Sequence, residues 1–196
     1  MRYMLLAYRM NVRLFVAVEI TEEIQKRLSA FQNALKKAGA DVSWVAPENL
    51  HITLKFIGAL DEEKIESVTA IIKEAMAHIK PFDLHYRGVG TFPTEKKPRV
   101  VFADVIDERG VLAQIHERLD NQFVALGVEH ENRKFSAHLT VGRIKTLRNV
   151  RRLAEKLDSY HEFDFGSEHV TQVALMKSDL LPDGPVYTKL QSIELD

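Results

Sequence analysis

Apolar residues recur along the chain in segments that alternate between strand-like and helix-like spacing. Residues 13–20 are rich in β-branched and aromatic side chains and have the length of a buried strand. Thr21 follows as a suitable N-cap, and apolar residues then recur at helical spacing up to Gly39. The N-terminal part therefore predicts a strand followed by a helix.

The same spacing rules predict three more helices and several more strands. The clearest helix begins after Asp61 and is ended by Pro81, and a third ends at Gly127. A fourth covers residues 150–157. Strands are predicted at residues 43–45, 51–57, 138–141, 170–177 and 186–193, and around a loop within 82–105. Mixed runs of this kind predict an α+β fold with helices packed on antiparallel sheet, rather than a doubly wound parallel sheet.

The N-terminal ten residues do not fit the pattern of a targeting or membrane segment. Their apolar stretch is interrupted by Tyr8 and Arg9, which makes it too short for a signal-peptide core or a membrane span. No later apolar run approaches the length of a membrane helix. We therefore predict an N-terminal extension at 1–10, a single domain at 11–196 and no association with membranes.

Composition narrows the classes of function. Hydrophobic residues make up 45% of the 196 residues, charged residues 28%, and the net charge is −1, as in an ordinary globular protein. A nucleic acid partner would therefore be held in a local cleft rather than along a basic face. The chain has no cysteine, which excludes thiolate nucleophiles and cysteine-based zinc sites and fits a cytoplasmic setting.

The most informative motif is a quartet of the form His-x-Thr-x that occurs twice. HITL occupies residues 51–54 and HLTV occupies residues 138–141. In a strand, each quartet places its His and Thr on one face and its aliphatic residues on the other. Two histidines beside one phosphorus provide a general base and a general acid, and the threonine hydroxyls can donate to phosphate oxygens. This chemistry needs no metal.

The quartets have two other interpretations. A single quartet is most simply a strand with one polar face, but two copies in similar apolar surroundings favour a functional role. A zinc hydrolase would need three or more close ligands, and each quartet has a threonine where a ligand would stand.

The flanks of the two quartets carry a resemblance to a known family. The segments WVAPENLHITLKFIG, FSAHLTVGR and RLFVAVEI resemble the 2H phosphoesterase superfamily, in particular the RNA 2′,3′-cyclic phosphodiesterases once called 2′-5′ RNA ligases. The resemblance implies two pseudo-symmetric lobes of antiparallel sheet with helices packed outside and an active-site cleft between them. The domain at 11–196 would then be bilobal.

The resemblance also implies roles for the motif residues. His51 and His138 would be catalytic, with His138 expected as base and His51 as acid, and Thr53 and Thr140 would bind the phosphate. The implied substrates are RNA ends, tRNA-derived ones included, or nucleotides with a 2′,3′-cyclic phosphate, opened by water to a 2′-phosphate. No metal or cofactor is implied. In 2′-5′ ligation a ribose 5′-hydroxyl would attack in place of water at the same site, and we expect a monomer. The alternatives are a non-catalytic RNA- or nucleotide-binding module on the same fold and an enzyme for another cyclic phosphate.

Four further residues stand near the quartets. Arg143 matches an arginine that grips the phosphate in the family, but simple alternation places it opposite His138, so the match requires a bulge or a strand end near Gly142.

The other three lie beside the first quartet. Trp44 is a candidate for stacking on a base, whereas Phe56 is expected in the core. Lys55 is expected to be a solvated strand-end lysine rather than a phosphate ligand.

Overall fold

The computed structural model describes residues 11–94, 97–182 and 184–196, so the predicted extension at 1–10 lies outside the described residues. Within these ranges the chain forms four α-helices and nine strands. In chain order they are β1 (Asn11–Glu19), α1 (Glu22–Lys36), β2 (Val42–Trp44), β3 (His51–Asp61), α2 (Ile65–Met76), β4 (Phe82–Phe92), β5 (Val100–Ile106), α3 (Val111–Gln122), β6 (His138–Ile144), α4 (Val150–Asp158), β7 (Asp164–Val170), β8 (Gln172–Leu181) and β9 (Gly184–Glu194).

The strands form one antiparallel sheet whose order is β7-β4-β5-β6-β3-β1-β8-β9, with the short β2 paired to β6. The two quartet strands, β3 and β6, are neighbours at the middle of this order. Counting β6 and β3 themselves, four strands lie on each side of the β6–β3 junction. The predicted α+β fold with two pseudo-symmetric halves is therefore confirmed.

The helices cover one face of the sheet and leave the other for the cleft. Helices α2 and α3 contact each other, and α2 packs on β9 while α3 packs on β3. Helix α1 contacts β7 and α4. The apolar stripe predicted for α1 is buried as expected, at Ile24, Leu28, Phe31 and Leu35. Of the helices in the described ranges, none is long and apolar enough to cross a membrane.

The structure differs from the sequence prediction at β7, a strand that the pattern of apolar residues did not predict. Gly166 there has a φ of +102°, and Glu168 is buried, which together break the strand-like alternation. The carboxylate of Glu168 accepts hydrogen bonds from the hydroxyl of Tyr86 and, at 2.7 Å, from the backbone N–H of Thr21. Thr21 precedes α1 as predicted, but its side chain makes no capping hydrogen bond. The interaction with Glu168 anchors this end of the helix instead.

Candidate active site

The first quartet presents its histidine in a defined orientation. Nδ1 of His51 lies 2.7 Å from the backbone carbonyl oxygen of Asn49, and Nε2 lies 3.0 Å from Oγ1 of Thr53. A carbonyl oxygen only accepts, so Nδ1 carries the proton in the neutral ring and Nε2 keeps its lone pair. Ile52, between the two polar residues, is fully buried on the other face of β3. The predicted alternation is therefore present, and the lone pair of Nε2 accepts a hydrogen bond from the Thr53 hydroxyl.

The second quartet repeats the Nδ1 contact of the first. Nδ1 of His138 lies 2.8 Å from the carbonyl oxygen of Ser136, two residues earlier, as Asn49 precedes His51. Leu139 is fully buried. The same tautomer follows from the same reasoning. Because Nδ1 of each ring lies against a backbone carbonyl oxygen, Nε2 lies on the side of the ring away from that carbonyl.

The pairing of Ile52 with Leu139 joins the two quartets. Because β3 and β6 are antiparallel, each motif histidine lies across from the threonine of the other motif, and an approximate twofold axis passes between them. The four polar side chains line one cleft with a volume of about 370 Å³. Its lining consists of Ser43, Trp44, Val45, Ala46, Glu48, Asn49, His51, Thr53, Phe56, His138, Thr140, Arg143, Leu181, Gly184, Pro185, Val186 and Tyr187.

Each motif histidine packs against two aromatic rings. The ring centroid of His51 lies 5.0 Å from that of Phe15 and 5.3 Å from that of Tyr187. The second histidine is flanked by Phe92 and Phe102, at 5.1 and 5.8 Å. These four aromatic residues were not predicted from the sequence. Three fall in segments predicted as strands, but alternation alone does not say which of their faces meets the cleft.

The surroundings of His51 favour its neutral form. Burial lowers the pKa of this imidazole, opposed by its hydrogen bond to Asn49, and the charges of Arg143 and His138 lower the pKa further. The neutral ring, with its lone pair on Nε2, is the form that can accept a proton.

Arg143 reaches the cleft because β6 contains a β-bulge. Thr140 pairs with Phe102 and Gly142 pairs with Val101, which leaves Val141 as the additional residue. The bulge reverses the alternation, so the exposed Arg143 side chain lines the same cleft as the motif residues. The bulge that the family match required is therefore present, and the role of Arg143 remains a prediction.

A second bulge lies at the equivalent point of β3. Thr53 pairs with Ala17 and Lys55 with Val16, so Leu54 is the additional residue. Like Val141, it directly follows the threonine of its quartet. This bulge turns the next two side chains to the opposite faces from those expected.

Both expectations for the residues after this bulge were wrong. Phe56 is not in the core: it is 60% exposed and lines the cleft. It stands five residues after His51, as Arg143 stands five residues after His138. Lys55 is not solvated: it is 1% exposed and points towards the helices.

The buried Lys55 ammonium is held by groups from two other elements. Nζ donates to Oδ1 of Asp120 on α3 at 2.6 Å and to the carbonyl oxygen of Glu129 at 3.2 Å, and it lies 3.3 Å from a carboxylate oxygen of Glu131. Burial disfavours the Asp120 carboxylate, but hydrogen bonds from Lys55, His130 and the Glu131 backbone hold its pKa well below the ordinary value. This cluster connects β3 to the segment that leads into β6.

Trp44 is half-buried and lines the cleft beside the first quartet, and its role in stacking on a base remains a prediction. It pairs with Gly142 of β6. A Cβ atom at that glycine would lie 3.0 Å from the indole ring and 2.7 Å from Cγ1 of Val42. Glycine at this position therefore lets the indole approach the backbone beside the cleft.

The loop before β3 is tied to the hairpin formed by β8 and β9. Nδ2 of Asn49 donates to the carbonyl oxygen of Pro185 at 3.1 Å. The hairpin thereby forms one wall of the cleft. In the described parts of the chain, no three or more His, Asp or Glu side chains cluster in a way that could hold a metal ion.

Known proteins resemble this chain over almost its whole length. The model of the family described as LigT like Phosphoesterase matches residues 18–102 and 106–187, which include both quartets. The RNA 2′,3′-cyclic phosphodiesterase of Methanothermobacter thermautotrophicus is 38% identical over 95% of this chain and 100% of its own length. The protein of the same name from Archaeoglobus fulgidus is 36% identical over 93% of this chain and 100% of its own length.

Solved structures share the fold. A crystal structure of a Thermus thermophilus protein superposes with a TM-score of 0.78 at 30% identity, covering 93% of this chain and 97% of that one. The crystal structure of E. coli LigT complexed with 3′-AMP has a TM-score of 0.75 at 23% identity, covering 95% of this chain and 99% of that one. The chain belongs to the LigT-like phosphoesterase family.

Proposed function

We propose that this protein hydrolyses the 2′,3′-cyclic phosphate at the end of an RNA or nucleotide to a 2′-phosphate, without a metal. The observation that carries the proposal is the antiparallel pair of His-x-Thr-x motifs, which points two histidines and two threonines into one cleft. The name shared by relatives that are 38% and 36% identical supports the class of substrate.

In the proposed reaction the two histidines transfer protons on opposite sides of the phosphorus. His51 takes a proton from water as the water oxygen bonds to phosphorus. The bond between phosphorus and the 3′ oxygen breaks, and His138 donates a proton to that oxygen. The lowered pKa of His51 supports the role of base, which reverses our expectation from the sequence. Each positioned group is expected to contribute about 10²- to 10⁴-fold to the rate.

The remaining polar groups hold the charge on the phosphate. The hydroxyl of Thr53 lies 3.0 Å from Nε2 of His51, so a substrate positioned for proton transfer is also within reach of this hydroxyl. Thr140 offers the equivalent donor from β6. The Arg143 guanidinium adds a positive charge beside the non-bridging oxygens.

The proposal is tested with the metal-free protein in EDTA and a short RNA that ends in a 2′,3′-cyclic phosphate. We expect turnover, and we expect the product to carry a terminal 2′-phosphate, identified by mass spectrometry and nuclease digestion. Activity that is lost in EDTA and restored by a divalent metal would contradict the metal-independent mechanism. Binding without turnover would support a non-catalytic RNA-binding module.

Ligation is proposed as a second reaction of the same cyclic phosphate at the same site, with a ribose 5′-hydroxyl in place of water. A ribose 5′-hydroxyl would bond to phosphorus while the 3′ oxygen leaves, which joins two RNAs through a 2′-5′ linkage. The test mixes concentrated RNA ends that carry a cyclic phosphate or a 5′-hydroxyl and determines the linkage of any product. A 3′-5′ linkage, or no ligation under conditions of rapid hydrolysis, would contradict this part of the proposal.

A further inference from the structure

A second cavity, here called the outer cavity, adjoins the cleft along the half of the sheet that contains β1. Its volume is about 480 Å³, within the range of small-molecule sites. Its lining includes Arg13, Phe15, Phe56, Arg143, Ser178 and Tyr187. Phe56, Arg143 and Tyr187 also line the cleft, so the two cavities are continuous.

Aromatic rings form the floor and walls between the two cavities. The buried Phe15 ring lies 5.0 Å from His51, 5.0 Å from Tyr187 and 6.2 Å from Phe56, measured between centroids. Arg13 is two residues before Phe15 on the same face of β1, and it lies further from His51 than Phe15 does. A path therefore leads from the catalytic histidine across Phe15 to the Arg13 guanidinium.

The outer cavity has a positive charge with no acidic counterpart among the described residues. Arg13 and Arg143 are both exposed, and neither makes an ion pair with a carboxylate in the described ranges. Burial raises the pKa of Tyr187, and the charges of Arg143 and Arg13 oppose this shift. Both guanidiniums are therefore close enough to act electrostatically on this phenol. An anionic ligand is expected to bind at such a site.

The same cavity offers apolar surface to a flat ring. Phe56 is 60% exposed and Leu180 is 62% exposed, although side chains of this size are usually buried in a soluble domain. Aromatic rings beside a positive charge are typical of sites that bind single-stranded nucleic acid, where bases stack and the backbone meets cations.

We propose that the outer cavity binds the nucleotide on the 5′ side of the one that carries the cyclic phosphate. Arg13 holds the phosphodiester that joins this nucleotide to the terminal one. The base of this nucleotide packs against Phe56 and Tyr187. The inference rests on the proposed function and extends it, because it makes an oligonucleotide end a better substrate than a mononucleotide. Arg143 stays with the cyclic phosphate in the cleft, and Arg13 acts only on substrates long enough to reach it.

The test compares adenosine 2′,3′-cyclic monophosphate with a diadenosine substrate, ApA, that ends in a 2′,3′-cyclic phosphate. We expect a lower KM for the dinucleotide. Arg13→Ala should raise the KM for the dinucleotide about five- to tenfold, as expected for the loss of one charged contact with phosphate. The KM for the mononucleotide should not change. Arg13→Lys should restore part of the effect. Arg151→Ala, which removes an exposed arginine from α4, is the matched control.

Calorimetric binding of the corresponding 2′-phosphate products is measured in the same variants. Equal KM values for the two substrates in the unmodified protein, or an equal effect of Arg13→Ala on both, would overturn the inference while the proposed function stands. If neither substrate is turned over, the proposed function fails, and calorimetry still tests the outer cavity. In that case, the inference would be overturned if the two products bound with equal affinity and if Arg13→Ala changed neither affinity.

Discussion

Ile52 of β3 pairs with Leu139 of β6, and both side chains are fully buried beneath the cleft. The spacing between the two motif histidines is therefore set by core packing on the far side of the sheet. A site positioned in this way is preorganised, because its polar groups do not depend on flexible loops for their separation.

Replacing either motif histidine should abolish most of the proposed activity. His51→Ala and His138→Ala are each expected to lower kcat about 10²- to 10⁴-fold, because each removes one proton transfer. The measurement is turnover of the cyclic phosphate, with circular dichroism to verify folding. His169→Ala, in an exposed histidine of β7, should retain full activity. A double variant at 51 and 138 that remained active would refute the mechanism.

The pH dependence should report the lowered pKa of His51. Since the proposed base must be neutral, kcat/KM should rise with pH through this pKa, and the midpoint should lie below the ordinary value of about 6.5. Arg143→Gln removes a charge that lowers the pKa, so the His51 resonance should titrate at higher pH in an NMR experiment on the free protein. Arg151→Gln serves as control. An unmoved or downward-shifted titration would be inconsistent with the site geometry.

The threonines should contribute through their hydroxyls. Thr53→Val and Thr140→Val keep the size of the side chain but delete a donor to a charged group, so each should lower kcat about 10- to 100-fold. Thr53→Ser should keep most of the activity. Thr188→Val, at an exposed position of β9, is the control. Full activity in both valine variants would exclude a role for these hydroxyls in binding the phosphate.

The cluster around Lys55 should make a large contribution to stability. Asp120→Ala leaves a buried ammonium with one carboxylate and one carbonyl oxygen nearby, so the free energy of unfolding should fall by about 3 kcal/mol. Urea unfolding measures this change, and Glu117→Ala on the exposed side of α3 is the control. Because the pKa of Asp120 is depressed in the folded state, its contribution is present above its unfolded pKa, about 3.9. The contribution is lost as the pH falls through the folded value.

Local alternation was sufficient to predict the faces of both quartets, but not the faces of the residues that follow them. The alternation of HITL and HLTV places His and Thr on one face without reference to the rest of the fold. Lys55 and Phe56 were assigned wrongly because the Leu54 bulge depends on the register with β1. Arg143 was placed only through the family resemblance, since alternation by itself points it away from the cleft.

Long-range partners account for the other differences. Strand β7 was missed because its buried Glu168 reads as polar, and the residues that satisfy it, Tyr86 and Thr21, lie far away in the sequence. Likewise, Lys55 is stable in the core because Asp120 from α3 and the groups of Glu129 and Glu131 meet it there. A single sequence contains these residues but does not show which of them will meet.

The twofold arrangement of the quartets has a consequence for regiochemistry. Two histidines and two threonines related by a rotation present the same groups to either ester oxygen of a cyclic phosphate. These four side chains therefore cannot by themselves determine which oxygen departs. The equivalent positions five residues after each histidine differ, however: one holds the guanidinium of Arg143 and the other the ring of Phe56. On the proposed roles of Arg143 and Phe56, this difference would give the cleft an anion-binding side and a base-binding side, and it would admit the ribose in one orientation.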